Sequence, residues 1–68
     1  MLDPQKIGSR VAARRKVKKL SRERLASHAG VTTSCVWNLE HGRNSTLKTL
    51  DAIARALGTT AADLIRGA

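Results

Sequence analysis

Between Thr32 and Arg43 the sequence gathers hydroxyls at Thr32, Thr33 and Ser34, an indole at Trp37, a carboxamide at Asn38 and a guanidinium at Arg43. These groups recognise rather than react. The Asn38 carboxamide can give and accept a paired hydrogen bond with a complementary donor–acceptor edge such as that of adenine, worth roughly 1–3 kcal/mol of discrimination. Thr33 and Ser34 are less selective, since a hydroxyl serves several bases or a phosphate. His28, Cys35 and His41 could suggest a metal, but their spacing matches no zinc pattern and no fourth ligand accompanies them. Ser, His and Asp are present without a nucleophile turn, a phosphate loop or room for a buried pocket. Neither an enzyme nor a metal or cofactor is expected.

Thirteen Lys and Arg against five Asp and Glu give a net charge of +8, which biases the partner toward polyanions. Eight of those thirteen lie between Arg10 and Arg24, where Glu23 is the only acid. One end of the molecule is therefore expected to carry a positive field; the plain alternative is a solvated helix face. With 68 residues there is room for one hydrophobic core, so one domain spanning 1–68 is expected. Cys35 stands alone and excludes a disulfide framework within the chain, which suits a reducing compartment. Met1 to Ile7 lacks the apolar run of a signal peptide, and no stretch approaches the roughly 20 apolar residues of a membrane span. A soluble, cytoplasmic protein is expected.

Strand signals are nearly absent, with no Phe or Tyr and one Trp. Asp3-Pro4 reads as a cap followed by Pro at the first helical position, with Ile7 and Val11 recurring behind it, so helix one should run from about Pro4 to Val17. Ser21 caps a short second helix with Leu25, Ala26 and Ala29 inward, left through Gly30. Thr32 caps a third, carrying Val36 and Leu39 inward and stopping at Gly42. Thr46 opens a fourth along Leu47, Leu50, Ile53, Ala54 and Leu57, stopped by Gly58. Thr60 to Asp63 resembles a capping box leading into Leu64 and Ile65. The fold class is all-α, with five helices.

The segment from Arg22 to His41 combines these signals. Two helices joined by a tight turn cross closely when the contact residue is small, the turn tolerates a left-handed residue and the second helix buries branched apolar groups. Ala26, Gly30, Val36 and Leu39 meet those demands in order; an ordinary helical hairpin is the alternative. With Val36, Leu39 and Glu40 turned inward, the opposite side of helix three presents Thr33, Ser34, Trp37, Asn38 and His41. Trp37 leaves the apolar side, so it either touches DNA or packs on helix two or on a second subunit.

From Ile7-Gly8 through Val11, Leu20-Ser21, Leu25-Ala26, Ala29-Gly30-Val31, Val36, Leu39-Glu40, Gly42, Leu47, Leu50, Ile53-Ala54, Ala56-Leu57-Gly58 and Leu64, the chain resembles the helix-turn-helix family of phage repressors, Cro proteins and xenobiotic-response-element (XRE) regulators. The resemblance spans about residues 7 to 65. It implies a compact lambda-repressor-like domain with the helix-turn-helix at 22–41, helix two crossing the DNA backbone and helix three in the major groove. Thr33, Ser34 and Asn38 match the family's base-reading positions, with Trp37 adjacent and larger than is usual there. Arg22, Thr32 and Arg43 match backbone-contacting positions, and the Asn44-Ser45-Thr46 approach to helix four can offer N–H groups to a phosphate. Arg15 and Glu40 match a family pair that bridges helix one to the end of helix three inside the domain; a solvated surface pair is the alternative. Arg14 departs from a family position that is usually apolar: either helix one is shifted locally, or Arg14 lays its stem along the core edge and sends its charge outward. The family's dimer contact falls at Leu64 and Ile65. Double-stranded DNA and a second copy of the chain are the expected partners of a regulator, with repression the expected sign. An antitoxin-like subunit that binds a partner toxin protein and autoregulates its operon is the alternative, suggested by Asn44-Ser45-Thr46-Leu47.

Overall fold

The computed structural model describes residues 2–43 and 45–68. Five helices follow in order: α1 (Pro4–Val17), α2 (Arg22–Ala29), α3 (Thr33–Glu40), α4 (Leu47–Ala56) and α5 (Ala61–Ile65), and no strand occurs among the described residues. Each helix starts where a short polar side chain folds back on the first turn. Asp3 accepts from the N–H groups of Gln5 and Lys6, Ser21 from Arg24, Thr32 from Cys35, Thr46 from Thr49 and Thr60 from Asp63. Such a cap contributes roughly 1 kcal/mol and satisfies an N–H that has no partner inside the helix.

Helices α1 to α4 end alike. A backbone N–H beyond the end returns to a carbonyl of the last turn, from Leu20 to Arg15 (3.1 Å), Val31 to Ala26 (3.0 Å), Arg43 to Asn38 (2.9 Å) and Thr59 to Ala54 (2.9 Å). This closure needs a left-handed residue just before the returning N–H. Gly30 fills that position after α2 at φ +72°, whereas Lys19 fills it after α1 at φ 58°. A side chain there costs conformational energy that glycine avoids.

The core takes one large, fully buried side chain from every helix: Val11, Leu25, Val36, Ile53 and Leu64. Ala26 is buried between α2 and α3, where a larger side chain would hold the two helices apart. Gly8 performs the same service between α1 and α3. A Cβ at Gly8 would lie within 3.0 Å of the carbonyl oxygens of both Leu39 and Glu40, so the backbone of α1 rests directly on the last turn of α3.

Two sequence expectations are resolved here. Leu64 was expected at a subunit contact, but it has no exposed surface: α5 is so short that one of its two large apolar residues must point inward to seat it, and that residue is Leu64. Ile65 remains partly exposed. Arg14 is exposed on an unbroken α1 and borders a shallow depression with Ala13, Val17, Lys18 and Leu57. The helix is regular at this position, and the arginine borders the core residue Leu57.

Candidate nucleic-acid interface

The base of the candidate surface is the Glu40 carboxylate, whose side chain is 1% exposed at the end of α3. Burying a carboxylate is costly unless it is paired and hydrogen-bonded. Two arginines do this from different helices. Arg15 of α1 reaches Glu40 Oε2 through Nε at 2.6 Å and Oε1 through Nη2 at 3.2 Å, and its Nη1 donates to the Leu20 carbonyl at 2.9 Å. Arg22 of α2 donates from Nε to Oε1 at 3.0 Å. Burial by itself pushes the Glu40 carboxyl up; the hydrogen bonds and charges of Arg15 and Arg22 together outweigh it and hold the carboxyl below its ordinary value. The three helices are thereby locked at the root of α3. Sequence reasoning paired Arg15 with Glu40 but gave Arg22 only to the DNA backbone. The structure commits its Nε to Glu40 and leaves the side chain 37% exposed, so its guanidinium spans interior and surface.

Above this lock, the outer side of α3 carries Thr33 and Ser34, both exposed, and Asn38, half-buried. Asn38 borders a concavity of about 190 Å³ with Cys35, Ser45, Thr46 and Thr49, where α3 meets the start of α4. The hydroxyls of Thr32 and Thr46 are engaged as caps: Thr32 Oγ1 accepts from Cys35 N at 3.2 Å, and Thr46 Oγ1 accepts from Thr49 N at 3.1 Å while donating to Thr49 Oγ1 at 3.0 Å. What both helix starts offer an anion is therefore their first-turn N–H groups. Asn44 was expected in the same backbone-contacting stretch and lies outside the described residues.

Trp37 is 39% exposed and is not among the buried core residues. It stacks on His41, one turn later, with ring centroids 3.8 Å apart and planes inclined by 14°. The Arg43 guanidinium carbon lies 5.5 Å from the Trp37 ring centroid. His41 Nδ1 sits 2.8 Å from the Trp37 carbonyl oxygen, which can only accept, so this nitrogen carries the hydrogen. Sequence reasoning had placed His41 on the outer face without its role. The Trp37/His41 spacing of four was the available signal, since such pairs are neighbours on a helix surface.

The basic run is divided in its duties. Arg10 donates to the carbonyls of Leu64 (3.0 Å) and Arg66 (2.5 Å), fastening the end of α5. With Arg15 and Arg22 bound to Glu40, three of the eight cations between Arg10 and Arg24 are used internally. Arg14, Lys16, Lys18, Lys19 and Arg24 are exposed. An apolar groove of about 270 Å³ is floored by Leu2 and, from four helices, by Pro4, Ile7, Leu39, Leu47, Leu50 and Ile65, and is bordered by Arg43, Ser45 and Thr46. Leu2 and Leu47 are more than half exposed there, at 54% and 71%. Among the described residues, no three His, Cys, Asp or Glu side chains gather closely enough to ligate a metal, and no helix is long and apolar enough to cross a membrane.

A family model described as a helix-turn-helix domain matches residues 6–66. The chain belongs to the helix-turn-helix domain family. Its solved neighbours are XRE-type regulators with the same lambda-repressor-like arrangement. This helix-turn-helix chain is 36% identical to the restriction-modification controller protein C.AhdI from Aeromonas hydrophila, covering 91% of this chain and 96% of that one with a TM-score of 0.85. It is 30% identical to the biofilm master regulator SinR solved in complex with DNA, over 85% and 95% of the two chains, with a TM-score of 0.77. The clp gene regulator ClgR from C. glutamicum matches at 25% identity over 97% and 87%, with a TM-score of 0.81. No curated protein matches the sequence. The helix-turn-helix itself is α2, the Gly30 turn and α3, and the DNA-binding transcription regulators are the class to which it belongs.

Proposed function

We propose that this chain represses transcription by binding a near-palindromic operator as a homodimer, with α3 of each copy in the major groove. The observation that carries this is the outer face of α3: Thr33, Ser34 and Asn38 stand clear of the core on a helix whose root is pinned by Arg15 and Arg22 through Glu40. A rigid reading helix loses little freedom on docking. Asn38 reads a base edge, with Thr33 and Ser34 beside it. Arg22, Arg43 and the N–H groups behind the Thr32 and Thr46 caps hold phosphates and set the register.

One such helix spans only a few base pairs, so two half-sites about one turn of duplex apart supply the specificity. The second copy covers the apolar groove at Leu2, Leu47 and Ile65, whose exposed carbon surface lies beside α5. SinR in complex with DNA and the near end-to-end match to a restriction-modification controller support the DNA-binding part of this reading. They make restriction-modification promoters the first targets to try.

Selection of bound sites from a pool of random duplexes tests this. An inverted repeat should emerge, Asn38→Ala should flatten preference at one position of each half-site, and Ile65→Asp should shift sedimentation toward monomer. Recovery of sites without symmetry, or an Asn38→Ala chain with unaltered preference, would count against it.

A further inference from the structure

We propose that Trp37 does not read a base but is a positioning residue, whose ring holds His41 and Arg43 as one unit against a DNA phosphate just beyond the end of α3. This rests on the DNA-binding reading above and assigns a role within it.

Two groups already occupy the surface of the indole. His41 lies flat against it at 3.8 Å, and the Arg43 guanidinium lies over it at 5.5 Å. A thymine methyl would have to compete with both for the same ring. The stack is also braced at its roots. His41 Nδ1 donates to the Trp37 carbonyl at 2.8 Å, which fixes the imidazole and turns its Nε2 away from the helix. The backbone N–H of Arg43 donates to the Asn38 carbonyl at 2.9 Å, so the chain turns back at Gly42 and delivers Arg43 beside the helix it has just left. Gln5 of α1 donates from Nε2 to the His41 carbonyl at 3.4 Å and steadies the same turn.

What this geometry produces is a preorganised cation. An arginine on the surface normally gives up rotamer freedom when it grips a phosphate. Here the position over the ring restricts the side chain beforehand, and the guanidinium, which meets the ring through a cation–π contact rather than through hydrogen bonds, keeps its N–H groups available for phosphate oxygens. The position suits such a clamp, because Arg43 follows α3 directly and Asn38, the foremost base reader, is tied to it through the backbone. Trp37 is the one Phe, Trp or Tyr residue in the sequence.

The salt dependence of binding separates a positioning role from base reading and from simple packing. The probe is the duplex selected by the chain from a random pool, together with variants of it carrying single base-pair changes. Trp37→Ala removes no charge, yet it should lower the slope of log K against log salt by about one, as Arg43→Ala should by removing the cation itself. The double variant should fall no further than either single one. Trp37→Phe, which retains a flat ring, should restore most of the slope, whereas Trp37→Leu, which keeps apolar bulk without one, should not. The ratio of affinities between the selected duplex and its variants should be unchanged throughout. Equal thermal unfolding curves are expected for the variants, because Trp37 lies outside the core.

A Trp37→Ala chain with the full salt slope would overturn this proposal, and so would one whose base preference is flattened as Asn38→Ala is expected to flatten it. In either case the unaltered chain would still bind its duplex and the reading of α3 would stand. Failure of the unaltered chain to bind any duplex would overturn both.

Discussion

Gly8→Ala offers a prediction in which two physical effects disagree in sign. On helix propensity alone, replacing glycine inside α1 by alanine should stabilise the chain by about 1 kcal/mol. The structure predicts the reverse, because the new Cβ would fall within 3.0 Å of the Leu39 and Glu40 carbonyl oxygens. Those neighbours are backbone and have no rotamer by which to withdraw, so α1 and α3 must separate. Overpacking costs roughly 1–3 kcal/mol, and contacts this short against backbone belong in its upper part, about 2–3 kcal/mol, so after the propensity gain a net loss of about 1–2 kcal/mol remains. For a domain of this size that lowers Tm by roughly 5–15 °C. Ser9→Ala, exposed on the same helix, is the control and should leave Tm nearly unchanged. Thermal melting followed by circular dichroism at 222 nm reads both variants. A Gly8→Ala chain that melts at or above the unaltered temperature would refute the close approach of α1 to α3.

Glu40→Gln leaves the Arg15 cation, whose side chain is only 10% exposed, without its anion; breaking a buried pair in this way costs about 3–5 kcal/mol. Arg22 contributes less because its charge is more than a third solvated. Since the folded Glu40 carboxyl is held below its unfolded value, the stability it supplies is complete above the ordinary carboxylate range and is lost as pH falls through the folded value. Urea midpoints should therefore drop more steeply between pH 5 and pH 3 for the unaltered chain than for Glu40→Gln, and parallel curves would contradict the assignment. Lys19→Gly relieves the left-handed backbone after α1 and should raise stability by about 0.5–1 kcal/mol in the same urea measurement; a loss would mean that the lysine side chain has a role the strain does not account for.

The helices were legible in the sequence because their boundaries are local events. Asp3, Ser21, Thr32, Thr46 and Thr60 each cap within three residues, and Gly30 marks the turn through its own φ. The outward set Thr33, Ser34 and Asn38 followed from helical periodicity once Val36 and Leu39 were turned inward. Long-range polar geometry was legible only at Arg15 and Glu40, where the family resemblance supplied the pair. Nothing near Arg10 announces that it fastens α5, 54 residues on, and nothing near Arg22 announces Glu40. Leu64 and Ile65 are adjacent and chemically alike, so only packing decides which is buried. Gly8 carried a usable signal, as a glycine inside a helical stretch often marks a close backbone contact.

The central claim is that α3 lies in the major groove with Thr33, Ser34 and Asn38 against the bases. Backbone amide spectra of labelled chain, titrated with the selected duplex, test it most directly. The largest shifts should fall on Thr33 through Asn38 and on the first turn of α4, with α5 changing little. Saturation of the duplex with those signals unmoved, and shifts confined to the exposed cations of α1, would contradict it.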